Sequence, residues 1–185
     1  MSIMAEKNGI FDLVLRYLIL IAVAIPTLWL FYTIFTPLTV YPVYWILGIF
    51  YDTILASGHI IILNNTFPIE LIPACIAGSA YYLLFILNVS TREISFGKRI
   101  KMLLWAFGSF LVLNILRIII LSVMAFSEST LFPITHVIFW YAISTIFVVA
   151  VWFAEVKAFN IKEIPFYSDI IFLYKKTKTR KRRNR

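Results

Sequence analysis

Apolar residues run through this chain in blocks too long to be one face of a soluble helix or strand. Leu13 to Phe35 is apolar almost throughout, and a bilayer crossing takes about 20 such residues. Pro26 is expected to kink this stretch and Thr36-Pro37 to end it. Tyr41 to Ala56 is shorter, carries Asp52 and stops at Ser57-Gly58. About 16 residues is short for a crossing and suits a re-entrant or interfacial helix. Two β-branched runs follow, His59 to Leu63 and Phe67 to Pro73, on either side of Asn64-Asn65-Thr66. That pattern predicts a β-hairpin. Its unpaired edge amides have no partner in lipid, so it belongs in water at the membrane face or against other helices. Ala74 to Val89, Met102 to Phe126 and Thr135 to Ala154 are three more apolar helices. The expected architecture is an all-α polytopic membrane protein. It has about four transmembrane helices, one re-entrant or interfacial helix and a short extracytoplasmic β-hairpin, in a single integral membrane domain over residues 1–185.

Composition agrees. Hydrophobic residues make up 62% of the 185 positions and charged ones only 14%, against about 25% charged in soluble domains. That excludes an ordinary soluble fold, and it excludes disorder, which needs low hydrophobicity and high charge. The single cysteine excludes an intrachain disulfide framework and a Cys-rich metal site. No metal-ligand cluster stands out, and neither a metal nor a cofactor is expected. The first apolar stretch lacks a small-residue cleavage site, so it is expected to remain as an anchor.

The net charge of +8 is concentrated at one end: eight of the last eleven residues, 175–185, are Lys or Arg. On a membrane protein such a tail marks the cytoplasmic side and touches anionic headgroups; no nucleic-acid partner is expected. The loop 92–101 holds Arg92, Lys98, Arg99 and Lys101, so it too is expected in the cytoplasm. The helix from Ala74 then runs inward, Met102–Phe126 outward and Thr135–Ala154 inward. Lys7 and Arg16 place the N-terminal end inside, and parity requires one net crossing before Ala74. Leu13–Phe35 supplies it, with Tyr41–Ala56 lying on or dipping into the outer face. Were Tyr41–Ala56 to cross, the N-terminus would be outside. Glu155, Lys157, Lys162, Glu163 and Asp169 mark an amphipathic exit segment before the tail.

Three polar residues fall at one depth. Cys75 precedes Arg92 by 17 residues, Arg117 follows Lys101 by 16, and His136 precedes Lys157 by 21. At about 1.5 Å per residue they sit some 25, 24 and 30 Å from the cytoplasmic edge, near the outer boundary of a core about 30 Å thick. Each has a bland explanation: a small buried hydrophobe, a snorkelling cation, an interfacial imidazole. A charge inside an apolar helix is costly, however, and is a functional candidate by default.

Together the three make a nucleophilic site. A guanidinium beside a thiol favours the thiolate. An imidazole takes the thiol proton and later protonates a leaving amine. Arg117 can also steady the oxyanion of a tetrahedral acyl intermediate. Gly78, Ser79 and Tyr82 lie at i+3, i+4 and i+7 from Cys75 and so share its helix stripe. Small residues there let a substrate backbone or another helix come close. Asn114, three residues before Arg117, could orient it or simply bond another helix. On the hairpin, which could cover the site or align a substrate strand by edge pairing, His59 is a rival base and Glu70 a second polar group. Asp52 is a further candidate to orient His136 or Arg117.

At Pro73-Ala74-Cys75-Ile76-Ala77-Gly78-Ser79, Asn114-Ile115-Leu116-Arg117 and His136 the chain resembles the exosortase/archaeosortase family of membrane-embedded cysteine transpeptidases. The order Cys, Arg, His on successive helices covers about 65 residues. Where that family has Cys-Ser-Gly or Cys-Thr-Gly, this chain has Cys75-Ile76-Ala77-Gly78. The resemblance implies that Cys75 is the nucleophile, with Arg117 and His136 as the second and third members. It implies substrates that are secreted proteins ending in a short motif, a hydrophobic helix and a basic cluster. These are cleaved at the extracytoplasmic face of the cell membrane and handed to a lipid-linked acceptor. The competing functions are a small transporter or channel subunit, with Arg117 and His136 lining a polar path, and a non-catalytic membrane partner. The transporter expects internal repeats, and none is visible; neither alternative gives Cys75 a task.

Overall fold

Long apolar segments form helices because only there does the main chain satisfy its own polar groups without water. A computed structural model describes residues 3–25, 28–92, 94–140, 144–161, 163–171, 173 and 174; the basic tail 175–185 lies outside it. The order is α1 (Ile3–Ala24), α2 (Trp29–Leu47), β1 (Thr53–Ala56), β2 (Ile60–Leu63), β3 (Phe67–Glu70), α3 (Pro73–Ile76), α4 (Gly78–Ser90), α5 (Phe96–Phe126), α6 (Phe132–Ile138) and α7 (Ser144–Ala158). Trp29–Leu47, Pro73–Ser90 and Phe96–Phe126 are long and apolar enough to cross a membrane. Their outward surfaces agree: Trp29, Trp45, Leu104 and Val112 are all exposed, an inside-out pattern that water would not tolerate over so large an area.

Several boundaries differ from those expected. The single crossing Leu13–Phe35 is two helices, broken between Ala24 and Trp29, with Leu28 left-handed at φ 60°. Pro26, the expected kink, lies outside the described residues, and a proline drives the residue before it out of helical geometry. Thr36-Pro37 ends nothing, because α2 runs through both Pro37 and Pro42; packed apolar helices tolerate proline where neighbours cover the freed carbonyls. The expected re-entrant helix Tyr41–Ala56 does not form. Its first half completes α2 and its second half becomes β1. The last expected crossing, Thr135–Ala154, appears as α6 and α7, and residues 141–143 between them lie outside the described set.

The hairpin forms where expected, and β1 joins it to make an antiparallel sheet in the order β1-β2-β3. Ile61 pairs with Ile69 and Leu63 with Phe67. Leu71 N–H donates to His59 O at 2.9 Å, which sets the parity: in β3 the odd residues bond to β2 and the even ones face away. Pro68 can therefore occupy this strand without removing a ladder bond.

The core is an aromatic stack between α2, α4 and α5. Phe35 lies flat on Tyr81 with ring centroids 3.5 Å apart, and Phe110 meets Tyr81 edge-on at 4.9 Å. Gly78 admits the ring of Tyr32: a Cβ on Gly78 would lie 2.8 Å from Tyr32 Cε1 and Cζ. Gly78→Ala is expected to destabilise the protein by about 1–3 kcal/mol through overpacking. Thermal unfolding in detergent checks this, and most of the loss should return when Tyr32→Leu is added.

A buried ionic cluster closes the end opposite the sheet. Arg16 Nη2 donates to Asp169 Oδ1 at 2.9 Å, and Tyr17 OH to Asp169 Oδ2 at 3.2 Å. Arg92 Nε lies 3.5 Å from Asp169 Oδ1. Arg99 caps α4, donating to the carbonyls of Asn88, Val89 and Thr91. The exit segment is thus less solvated than expected. Asp169 is buried, and so is Glu155, which accepts from Asn88 Nδ2 at 3.1 Å.

Candidate active site

Cys75 sits on a helix that lasts one turn. Pro73 opens α3 and Ala77 closes it in the left-handed region at φ 60°. A non-glycine residue there costs about 1–3 kcal/mol and persists only where its surroundings hold it. The break leaves the Cys75 carbonyl without the helical N–H that would normally meet it, and a buried carbonyl needs a donor. Asn114, buried on α5, supplies one: its Nδ2 donates to Cys75 O at 2.9 Å. Asn114 thus fixes the main chain of Cys75 rather than orienting Arg117.

The same break removes the expected stripe. The i+3 and i+4 rule holds only in a continuous helix, and α4 restarts at Gly78 in a new orientation. Gly78 is buried against Tyr32, Ser79 is exposed, and Tyr82 turns to donate its hydroxyl to Leu20 O at 2.9 Å. None of the three borders the cavity that Cys75 faces.

That cavity has a volume of about 230 Å³ and lies between β3, α3, α5 and α6. Cys75, Arg117 and His136 all line it, together with residues 67–71, Ser122 and a shell of apolar side chains. The three residues placed at one depth by counting along their helices do share one chamber. The guanidinium of Arg117 and the Cys75 thiol border the cavity from α5 and α3 respectively. Arg117 is 8% exposed, so it is held inside the bundle and does not snorkel. Its Nη1 donates to Ser144 Oγ at 2.6 Å, and Ser144 Oγ donates onward to Phe139 O at 2.7 Å. Its Nε is buried without a partner, and no carboxylate pairs with the side chain among the described residues. A buried donor left unbonded costs about 1–3 kcal/mol, and among the described residues none supplies an acceptor for this nitrogen. His136 is held between the aromatic rings four residues before and after it, Phe132 at 5.5 Å and Trp140 at 5.7 Å between centroids.

The other candidates lie elsewhere. His59 is on the β1–β2 turn, outside the cavity lining; its Nδ1 donates to Ser57 O at 2.8 Å and its Nε2 is 3.8 Å from Glu70 Oε1. Glu70 does line the cavity. Asp52 is exposed at the far end of the sheet, where its N–H and carbonyl both bond Asn64, so it orients neither His136 nor Arg117. Ser144 was not anticipated. Its only signal was its place eight residues after His136, and with Thr145 beside it in an apolar stretch that does not single it out. Comparison with known protein families, curated proteins and solved structures finds no match for this chain.

Proposed function

We propose that this protein is a membrane-embedded cysteine transpeptidase of the exosortase/archaeosortase kind, cutting secreted proteins just before a C-terminal membrane helix. One observation carries this: a thiol, a buried guanidinium with an unbonded nitrogen and an imidazole border one cavity at one end of an apolar helical bundle. On this reading α1 and α2 together make the first crossing, α3–α4 the second, α5 the third and α6–α7 the fourth. The N-terminus, the loop 92–101 and the tail then face the cytoplasm, by their positive charge. The cavity opens at the outer face, where a precursor's helix enters sideways from the lipid.

The chemistry balances with protein groups alone. His136 takes the Cys75 proton as sulfur attacks the scissile carbonyl, whose oxygen gains the negative charge that Arg117 holds. The intermediate collapses, the C–N bond breaks, and the imidazolium returns its proton to the leaving amine. Cys75 is left as a thioester. An amine on a lipid-linked acceptor then attacks, passes its proton to His136 and displaces the sulfur, which is reprotonated.

Hydroxylamine tests the thioester directly. Added at neutral pH to membranes from cells that carry the chain natively, it competes with the natural acceptor. The cleaved proteins are expected to end in a hydroxamate, detected by mass spectrometry, and only when Cys75 is present. Cleaved C-termini that are free acids under excess hydroxylamine, formed equally by Cys75→Ala membranes, would overturn the proposal. So would cleaved chains that carry the hydroxamate without Cys75.

A further inference from the structure

Among the described residues β3 pairs with β2 alone and forms an outer edge of the sheet. The odd residues of β3 spend their main-chain groups on β2. The even ones, Pro68 and Glu70, point the other way and offer the sequence C=O, N–H, C=O to whatever lies beyond. No hydrogen bond among the described residues uses these three groups. What lies beyond is the cavity. All five residues 67–71 line it, odd and even alike. A strand that turned one face to a cavity would border it with alternate residues only, because successive side chains point to opposite faces. Consecutive lining means that the edge itself is the wall. That wall leads straight into α3, so Cys75 stands four residues past Leu71 on the same side of the cavity.

Resting on the reading given above, we infer that the β3 edge is the substrate-docking site. The segment to be cut binds as an extended peptide, adding a fourth strand to the sheet. One substrate residue exchanges two hydrogen bonds with Glu70, and the residue two positions away gives its N–H to Pro68 O. The amide between them faces outward and takes no part. An acyl chain or a substrate still in helical form has no free N–H and C=O to match this edge, whereas an extended peptide has both at the right spacing of about 6.8 Å for two residues. The missing N–H of Pro68 has a consequence of its own: the edge is too short of donors to recruit a long foreign strand, which limits edge-to-edge aggregation.

The test uses a tripeptidyl chloromethyl ketone, acetyl-Ala-Ala-Ala-CH2Cl, on the full chain in detergent, with chloroacetone as the same warhead lacking a peptide. The rate of Cys75 alkylation is read by mass spectrometry. The peptide reagent is expected to react at least about tenfold faster than chloroacetone. N-methylation of alternate amides should remove that advantage, and methylation of the amide between them should not. In Glu70→Pro, which deletes the one outward N–H, the ratio of the two rates should fall about tenfold. Should Glu70→Pro fail to fold, the methylation series on the native chain still decides. No rate advantage, or equal sensitivity to methylation at every position, overturns edge docking. If hydroxylamine capture still depends on Cys75, that failure belongs to the docking alone; if capture is independent of Cys75, the function it rests on fails with it.

Discussion

Cells whose only copy of this protein carries Cys75→Ala are expected to accumulate full-length, membrane-anchored precursor, with maturation down by about a thousandfold or more. Losing the nucleophile of a coordinated catalytic set removes nearly all of the covalent route. The geometry makes this a clean experiment. The contact that holds Cys75 in place is made to its carbonyl by Asn114, and alanine keeps that carbonyl. The side chain is half-buried against the cavity, so its removal enlarges a space that already exists. Thermal unfolding of Cys75→Ala should therefore stay close to that of the native protein while processing disappears. Cys75→Ser is expected to be nearly as inactive, because an alcohol is a poor nucleophile without far stronger activation than a guanidinium and an imidazole provide. Normal maturation in Cys75→Ala cells would favour the non-catalytic partner or the transporter, neither of which needs the sulfur.

What could be read from residue order and what could not divides along a physical line. That Cys75, Arg117 and His136 border one cavity could be read from residue order because rise per residue is nearly constant, so counting along each helix set them at one level. The β2–β3 hairpin was readable because Asn64-Asn65 accepts left-handed geometry, with φ 48° and 58° in the two residues. Rotation about a helix axis was not. It accumulates about 100° per residue, so one left-handed residue at Ala77 erased the predicted face of Gly78, Ser79 and Tyr82 while barely changing their depth. Prolines misled in both directions: α2 absorbs Pro37 and Pro42, and the chain breaks near Pro26. Local propensity predicts a stop at each, and packing against α4 and α5 decides which one stops. Side chains that meet across the fold, such as Arg117 with Ser144 or Arg16 with Asp169, carry no local signature at all.

Asp169→Ala is expected to destabilise the protein by about 3–5 kcal/mol, the cost of removing one partner from a buried ion pair. In a chain of this size that corresponds to a fall in melting temperature of roughly 10 °C. Asp169 is 3% exposed and Arg16 5%, so neither can recover its lost partner from water. Arg16 keeps the neutral Ser90 carbonyl and the carboxylate of Asp12, which at 3.2 Å is itself largely exposed. Arg92 and Tyr17 lose a partner in the same step. The cost arises from the stranded cation rather than from the net worth of the pair, and a double replacement shows the difference. Arg16→Met with Asp169→Leu should be markedly more stable than the sum of the single losses predicts, because the deeply buried guanidinium of Arg16 goes with its partner. Additive losses, or a single-variant cost below about 1 kcal/mol, would show that the cluster is solvated after all. Ser90, which Arg16 also bonds, lies 15 residues along from Cys75, about 22 Å at helical rise. Processing per folded molecule should therefore survive Asp169→Ala, which separates this end of the bundle, built to hold α1, the α4–α5 loop and the C-terminal segment together, from the end where sulfur, guanidinium and imidazole line one cavity.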